Sequence, residues 1–308
     1  MLQIQNRLRT NFTQFLIFLI IVLFLLTVAL TFNSLTIDQC SCPIQHYVEN
    51  KAEKEKNFQY SSPHKLAVLV PFRDRFDELM QFVPYMHDFL NKQHINHNIF
   101  VLNQVDSFRF NRASLINVGY LYTNSTHDYI AMHDVDLLPL NDELSYGYPK
   151  EGPHHIAAPH LHPRYNYSKF VGGILLINRD HFKLVNGMSN KYWGWGLEDD
   201  EFYVRLREAN LEVTRPANIR TDRTNTFRHI HESHRKRDTA KCYNQREVTR
   251  KRDRQTGLHN VKYTITSAMN ISIENAAVKI INIHLMCNFE LTPWCDCSEK
   301  KSNSNNKT

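Results

Sequence analysis

Residues 193–201, reading Trp-Gly-Trp-Gly-Leu-Glu-Asp-Asp-Glu, bring together the side chains with the richest chemistry in this sequence. The glycines allow backbone to approach a ligand where a larger side chain would block it. The tryptophans offer flat faces for a sugar ring and an N–H group for a hydroxyl. The acidic run could supply a general base, or bind a metal ion or a hydroxyl-rich substrate. The segment therefore predicts a ligand site with reactive carboxylates.

Two short patterns elsewhere could bind a divalent cation. Asp134-Val-Asp136 follows an apolar run, and alternation along an extended strand would direct both carboxylates to one side. His229-Ile-His231 has the same spacing, so its two imidazoles could ligate one metal. Imidazoles combined with a carboxylate and diphosphate oxygens suit Mn²⁺ better than Mg²⁺. Each pattern alone also fits a surface turn or a basic loop, and only their combination favours a metal site.

Arginines near the ends of two predicted elements could hold phosphate. Pro71-Phe-Arg-Asp-Arg75 leaves the first strand, and Phe110-Asn-Arg112 opens a helix, whose N-terminus also attracts anions. Arg73, Arg75 and Arg112 could equally be ordinary solvated charges. The sequence lacks the glycine patterns of dinucleotide-binding folds and P-loop ATPases, so neither class is indicated.

Strands and helices in alternation must position these groups. Apolar runs predict strands at residues 65–72, 98–102, 129–132, 173–178 and 211–214. Helical spacing predicts a helix containing Leu79, Val83, Met86 and Leu90, with a kink at Pro84, an amphipathic helix at 111–123, and a third helix at 199–210. This alternation predicts an α/β fold with a mostly parallel sheet flanked by helices.

The N-terminus predicts a membrane anchor. Residues 15–32 carry no charge, and a helix of this length spans ~27 Å, enough for a thin bilayer. A cleaved signal peptide is the alternative, but residues 28–33 offer no good cleavage site. Arg7 and Arg9 precede the span, which predicts a cytosolic N-terminus and a luminal body. The predicted division is a cytosolic tail at 1–14, a single transmembrane helix at 15–32, a luminal stem at 33–63, a catalytic domain at 64–299 and a disordered tail at 300–308.

Two further features fit a luminal body. Four tripeptides have the pattern of N-glycosylation acceptors, each weak evidence alone, and begin at Asn124, Asn166, Asn270 and Asn306. Four late cysteines favour disulfides over a zinc site, because an oxidising lumen promotes pairing and only two of them are closely spaced. They are Cys242, Cys287, Cys295 and Cys297, while Cys40 and Cys42 lie near the predicted membrane span.

A densely basic run spans residues 235–254, in a chain whose formal net charge is +6. A nucleic-acid partner is not expected for a luminal protein. One interpretation of the run is a solvated helix that ends near Gly257. The other is a mobile segment that closes over a nucleotide diphosphate or meets an acidic acceptor. The sequence leaves both interpretations open.

Six motifs, in order along the chain, resemble the animal β-1,4-galactosyltransferases. They are Phe110-Asn-Arg-Ala, Asp134-Val-Asp, Phe170-Val-Gly-Gly, Asn186-Gly-Met-Ser-Asn, residues 193–201 and Arg215-Pro. The match runs from about Lys65 to Cys297. Within that family, the short stem, the His-x-His pair and the block from Cys287 through Thr292-Pro-Trp-Cys295 are similar to the branch that galactosylates xylose on serine. The lactose-type members carry Met-x-x-His instead of His-x-His, so the chain departs from them there.

The resemblance implies a GT-A fold, UDP-galactose as the donor, Mn²⁺ as the cofactor and inversion at the anomeric carbon. It further implies a Golgi membrane enzyme acting on xylosylated serine of proteoglycan core proteins. By position, the metal ligands would be Asp136, His229 and His231, and the general base would be Asp199, with Glu198 and Asp200 positioning sugar hydroxyls. The donor pocket would comprise Pro71, Arg73, Arg75, Phe110, Arg112, Asp134, Val135 and Trp195. The acceptor site would comprise Tyr165, Tyr167, Trp195, Asp199 and Asp200.

The resemblance also implies the disulfides Cys242–Cys297 and Cys287–Cys295. Two alternative functions are still open. The same chemistry could use N-acetylglucosamine as the acceptor, or the chain could be a membrane-tethered, catalytically silent sugar-binding protein. Asp136, Asp199 and the His-x-His pair argue against a silent protein, because the metal and base positions are all occupied.

Overall fold

The computed structural model describes residues 17, 19–27, 63–230, 235–240 and 242–297. The chain divides into two compact units, Met1–Phe58 and Gln59–Thr308. In the first unit, residues 19–27 are helical. Within the described part of the chain, no helix has the length and apolarity needed to cross a bilayer. The predicted cytosolic tail, the stem up to residue 62, Cys40, Cys42, Asn306 and the predicted tail at 300–308 lie outside the described residues.

Strands and helices alternate through the first part of the second unit. The strands are β1 (Lys65–Phe72), β2 (Asn96–Gln104), β3 (Tyr129–His133), β4 (Leu137–Pro139), β5 (His154–His155), β6 (Ile174–Asn178), β7 (Phe227–His229), β8 (Tyr263–Ile273) and β9 (Ala276–Leu285). The helices are α1 (Phe76–Lys92), α2 (Arg112–Thr123), α3 (Arg179–Leu184), α4 (Glu198–Glu208) and α5 (Gln245–Thr249), with 3₁₀ turns at Leu258–Asn260 and Pro293–Cys295. β1 has its predicted bounds, and β2, β3 and β6 match their predicted positions closely.

The large sheet is mixed, and the prediction of a mostly parallel sheet is confirmed for its four central strands and wrong at its two sides. Its strand order is β5-β6-β3-β1-β2-β9-β8. The pairs β1–β2, β1–β3 and β2–β9 are parallel, whereas β3–β6, β5–β6 and β8–β9 are antiparallel. The last pair is a hairpin whose turn residues, Glu274 and Asn275, have left-handed φ angles of 48° and 70°, as tight hairpin turns require. The pattern of alternating strands and helices does not reveal this hairpin, because no helix connects its two strands.

Helices cover both faces of the sheet. Along β1, Leu66, Val68 and Val70 pack in the same cluster as α1, while Ala67 and Leu69 pack with α2. This alternation is the expected two-sided burial of a central strand. α1 buries its four predicted apolar positions and continues through its internal proline.

Helix α2 is buried on nearly every side, so the prediction of an amphipathic helix is wrong. The eight consecutive residues from Ala113 to Tyr120 are all buried. A loop covers part of the helix: the Asn117 side-chain amide donates to the Met188 carbonyl over 2.7 Å, and the Met188 N–H donates to Asn117 Oδ1 over 2.9 Å. Because the buried amide is paired in this way, a polar residue is tolerated in the interior. The covering loop leads directly into residues 193–201.

Residues 211–214 do not form the predicted strand. Thr214 alone makes a bridge, with His154, where its N–H donates to the Pro153 carbonyl over 2.9 Å. Leu211 and Val213 are apolar because they pack against the core, not because they belong to a ladder. Pro216 follows closely and has no N–H to donate, which prevents the pairing from extending.

Both implied disulfides are present. Cys242 pairs with Cys297, and Cys287 with Cys295, across Cα–Cα distances of 5.8 and 6.2 Å. The C-terminal block that they secure includes Trp294, which is buried and donates its indole N–H to the Lys191 carbonyl over 2.8 Å. The disulfides thereby help to fix the segment that enters residues 193–201.

A buried ionic network anchors α4 on its other side. Arg205 is 2% exposed, and its Nε donates to Glu201 Oε2 over 2.8 Å within the helix. Its Nη2 lies 3.7 Å from Asp253 Oδ2 and donates to the Thr256 carbonyl over 2.9 Å. The network holds α4 against residues 253–256, and its charges are matched inside the protein.

Replacing Arg205 by alanine should lower the free energy of unfolding by about 3–5 kcal/mol, because Glu201 and Asp253 would each lose a buried cation and keep only Arg252 and Lys191 as partners. Equilibrium denaturation of the variant and the parent chain measures this loss. Arg207 is an exposed arginine on the same helix, and its replacement by alanine should change stability by less than about 0.5 kcal/mol. Equal losses for the two variants would contradict a structural role for the network.

Candidate active site

A cleft of about 990 Å³ opens at the carboxyl ends of β1 and β3. Ligands of open α/β sheets bind at this edge. Every predicted site residue that the structure describes lines the cleft: Pro71, Arg73, Arg75, Phe110, Arg112, Asp134, Val135, Asp136, Tyr165, Tyr167, Trp195, Glu198, Asp199, Asp200 and His229. His231, the third predicted metal ligand, lies outside the described residues. The fold thus gathers side chains from distant parts of the sequence into one site.

Pairing of β4 with β7 brings Asp136 and His229 together. Leu137 pairs with His229 in this small sheet, and the Ile230 N–H donates to the Asp136 carbonyl over 2.8 Å. His229 Nε2 lies 3.7 Å from Asp136 Oδ2. Burial, and then the charge of Asp134, raise the pKa of Asp136 to about 6. An imidazole beside a carboxylate suits a borderline divalent cation such as Mn²⁺.

Asp134 and Asp136 lie in a turn, so the prediction that strand alternation aligns them is wrong. β3 ends at His133 and β4 begins at Leu137, which leaves the motif between two strands. Val135, which lies between the two carboxylates, also lines the cleft. Within the described residues, no three His, Cys, Asp or Glu side chains form a group that could hold a metal. The predicted ligand set is complete only with His231.

Arg112 links the two carboxylates that sequence reasoning had assigned to different tasks. Its Nε donates to Asp134 Oδ1 over 2.8 Å, and its Nη1 donates to Asp199 Oδ1 over 3.0 Å. Burial raises the pKa of Asp199, and the Arg112 guanidinium opposes this shift. The resemblance implies a donor-pocket role for Arg112, which does line the cleft, and its contact with Asp199 adds a second role. The arginine favours the anionic form that a general base needs.

The carboxylates beside Asp199 have different environments. Burial and the charge of Asp199 raise the pKa of Glu198 to about 8. Glu198 Oε2 is buried and accepts no hydrogen bond from the described residues. Burial also raises the pKa of Asp200, but a hydrogen bond from the Tyr167 hydroxyl opposes it. Glu198 is thus mainly protonated at neutral pH, while Asp199 and Asp200 each have a partner that favours the charged form.

The glycines around the acidic run are needed for the backbone conformation and for close packing. Gly194 and Gly196 have φ angles of 85° and 106°, a region that favours glycine over residues with a side chain. A Cβ atom on Gly172 would collide with the Asp199 carboxylate, so this glycine leaves room for the candidate base. The two tryptophans have different roles: Trp193 is buried in the core, whereas Trp195 is 51% exposed in the cleft. Only Trp195 can act as a sugar platform.

Residues 235–240 lie along the cleft, and the solvated-helix interpretation of the basic run is wrong. Helix α5 covers only Gln245–Thr249. Arg235 instead donates to both carboxylate oxygens of Glu78, each over 2.9 Å. Arg237 lies over the Trp195 ring, with its guanidinium carbon 4.8 Å from the ring centroid. These contacts support the interpretation in which the run meets the ligand site.

Two further residues support the site without an obvious sequence signal. Arg109 donates to both oxygens of Asp238, over 2.6 and 3.0 Å, and so ties residues 235–240 to the loop after β2. His162 Nδ1 accepts the N–H groups of Arg164 and Tyr165, over 3.0 and 3.1 Å. The latter contact fixes the segment carrying the two predicted acceptor tyrosines. The partner of Arg109 is distant in the sequence, and the partners of His162 lie in an irregular segment. A periodic sequence pattern reveals neither contact.

An aromatic platform, a partly buried carboxylate held by arginine, and a carboxylate–imidazole pair line the same cleft. On a mixed α/β sheet, this arrangement defines a glycosyltransferase of the metal-dependent class. Comparison with known proteins supports this class. Residues 27–149 match the family model described as the N-terminal region of glycosyl transferase group 7, and residues 152–231 match that described as the N-terminal domain of galactosyltransferase.

The chain belongs to the β-1,4-galactosyltransferase family. It is 65% identical over 240 residues to β-1,4-galactosyltransferase 7 of Drosophila melanogaster, covering 77% of this chain and 74% of the relative. It is 51% identical to the xylosylprotein 4-β-galactosyltransferase of Caenorhabditis elegans, covering 76% and 83%. The crystal structure of the Drosophila catalytic domain with xylobiose matches at a TM-score of 0.75 and 65% identity, covering 76% of this chain and 100% of that one. This match confirms the GT-A fold.

Replacing Arg112 by methionine should shift the acidic limb of the kcat/KM profile to higher pH by about one unit or more. Arg112 lowers the pKa of Asp199, so its loss raises that pKa further, and the base becomes protonated at a higher pH. Transferase rates measured across the neutral range test this. Arg112→Lys keeps a cation and should shift the limb less. Arg207→Met should not shift it, because Arg207 is exposed and forms no ion pair with Asp134 or Asp199 among the described residues. An Arg112→Met profile that is lower but unshifted would contradict the electrostatic role.

Proposed function

We propose that this chain transfers galactose from UDP-galactose to O4 of xylose on serine in the linker region of proteoglycan core proteins, with Mn²⁺ as cofactor. The relatives named above are β-1,4-galactosyltransferases, including one named for xylosylprotein. The crystal structure of a point mutant of the Drosophila enzyme, 64% identical to this chain, is that of a complex with manganese, UDP-Gal and xylobiose. The observation that carries the proposal is Asp199, a partly buried carboxylate held by Arg112 at the wall of the cleft.

Asp199 takes the proton of the attacking hydroxyl. The xylose O4 attacks the anomeric carbon from the face opposite to UDP, so that the new C–O bond forms as the bond to UDP breaks. Arg112 keeps Asp199 ionised until it accepts the proton. When bound by Asp136 and the His-x-His pair, Mn²⁺ supplies positive charge that stabilises the UDP leaving group.

The remaining cleft residues orient the two sugars. Trp195 presents its exposed face to a sugar ring, and Tyr167 holds Asp200 through its hydroxyl, so that the carboxylate can accept from acceptor hydroxyls. Glu198 is the protonated carboxyl of the cluster, and can therefore donate a hydrogen bond to a sugar oxygen. With one inverting displacement, no covalent intermediate is needed.

Transfer to β-xylosides with UDP-galactose and Mn²⁺ should exceed transfer to N-acetylglucosaminides, and a chelator should abolish it. Asp199→Asn should retain donor binding but lose turnover by a factor of ~10²–10⁴, the range expected for a general base. Product formation on a panel of both acceptors measures the acceptor preference. Calorimetry of UDP-galactose binding is the control for Asp199→Asn, because it shows whether the variant still binds the donor. Preference for N-acetylglucosaminides would assign the other acceptor, and absence of UDP release with every acceptor would favour a silent sugar-binding protein.

We further propose a single-pass type II protein of the Golgi membrane with a luminal catalytic domain. The uncharged segment at 15–32 and the preceding Arg7 and Arg9 support this. The full chain in sealed microsomes should be protected from added protease except at its short N-terminal tail, and should resist extraction by alkaline carbonate. Digestion of the catalytic domain in sealed vesicles would contradict the orientation, and release by carbonate would contradict the anchor.

A further inference from the structure

A second hollow, of about 470 Å³, lies beside the predicted acceptor site. We call it the basic hollow; it is lined by Pro159, His160, Asn166, Ser168, Arg215 and Arg223. Residues 165–168, the acceptor wall, separate it from the cleft, because alternate residues of this wall line the two spaces. Tyr165 and Tyr167 face the cleft, whereas Asn166 and Ser168 face the basic hollow. A ligand that crosses the wall can therefore enter both spaces.

The basic hollow carries positive charge that the described residues do not neutralise. No acidic residue of the described ranges lines it, and the adjoining stretch at 159–169 contains none. Among the ion pairs of the described residues, none gives Arg215 or Arg223 a carboxylate. Arg215 Nε is buried and, within that same part of the chain, donates to no acceptor. A buried guanidinium donor without an acceptor is costly, so an anion from outside would be stabilised here.

Both arginines are held in place by backbone carbonyls. Arg215 Nη2 donates to the Ser168 carbonyl over 2.8 Å, and Arg223 Nε donates to the His162 carbonyl over 2.9 Å. These contacts orient the two guanidinium groups at the rim of the acceptor wall. The remaining N–H groups can serve a carboxylate, whose two oxygens match the fork of a guanidinium.

We propose that the basic hollow binds an acidic side chain of the acceptor polypeptide, a few residues from the serine that carries the xylose. This proposal rests on the proposed function. With xylose held by the cleft side of the acceptor wall, its serine and the attached polypeptide must leave the cleft. An extended chain advances ~3.3 Å per residue, so a few residues suffice to cross a wall that is one chain thick. A carboxylate at that distance reaches Arg215 and Arg223.

Three acceptors test the proposal with full-length enzyme: a β-xyloside without peptide, a xylosylated peptide with neutral flanks, and the same peptide with flanking glutamates. The parent enzyme should have a lower KM for the acidic peptide than for the neutral one. Arg215→Gln and Arg223→Gln should each raise the KM of the acidic peptide about five- to tenfold, the loss expected for one charge-assisted contact. They should change the other two acceptors by less than about twofold, with kcat retained. Arg220→Gln is the control, since Arg220 is 91% exposed and lies outside the hollow.

Several outcomes would overturn the proposal. Equal KM values of the parent enzyme for the two peptides would remove the charge preference. Equal losses on all three acceptors would show that Arg215 and Arg223 only support the wall. Inorganic phosphate at fixed ionic strength should compete with the acidic peptide and not with the other two acceptors. If phosphate binds but the parent enzyme does not prefer the acidic peptide, the hollow is a site for a free anion. Failure of the parent enzyme on the β-xyloside itself would instead refute the proposed function.

A glycan offers one more test, because Asn166 both lines the basic hollow and begins a glycosylation tripeptide. A glycan there would occupy the space that the acidic side chain needs. We expect Asn166 to be unmodified in enzyme from a glycosylating host. Glycopeptide mass spectrometry measures occupancy, and full occupancy in active enzyme would overturn the proposal.

Discussion

The ion pairs of Arg112 connect the three elements on which the cleft is built. Arg112 is the first residue of α2, Asp134 follows β3, and Asp199 lies in the first turn of α4. A guanidinium does not lose its proton in a protein, so its charge must be matched wherever it is buried. One cation here faces several carboxyl groups, and the excess is relieved by protonation of the least stabilised of them. Glu198 takes that role, because burial and then the charge of Asp199 raise its pKa to about 8.

The position of α4 is then set by contacts on separate sides. Its first turn meets Arg112, while Glu201 and Arg205 connect it to Asp253 through buried charges. The preceding turn is constrained by left-handed residues at Gly194, Gly196 and Leu197. A helix N-terminus attracts negative charge, which partly offsets the repulsion among its acidic side chains. The carboxylates are therefore held by the fold before any ligand arrives, which is what electrostatic preorganisation requires.

Local patterns were sufficient for the parts of the structure that depend on nearest neighbours. The bounds of β1 follow from an unbroken apolar run, since a central strand is buried on both faces. The burial of α2 and the pairing of β8 with β9 could not be read in this way, because they depend on what covers each element. The same holds for Arg112, whose carboxylate partners lie 22 and 87 residues further along the chain. The motifs located the site residues, but the fold alone revealed which of them form ion pairs.

The basic run illustrates how charge and geometry combine at the cleft. Arg235 pairs with Glu78 beyond β1, and Asp238 pairs with Arg109 beyond β2, each through two hydrogen bonds. Bidentate pairs of this kind are the stronger ones, so they fix the ends of residues 235–240. Arg237 lies between these pairs, and its contact with Trp195 is a cation–π interaction of about 0.5–2 kcal/mol. A sugar on that face of Trp195 would displace Arg237, while the two bidentate pairs can stay closed. Trp195 is already 51% exposed, so movement of the Arg237 side chain alone would uncover more of the platform while the surrounding backbone remains in place.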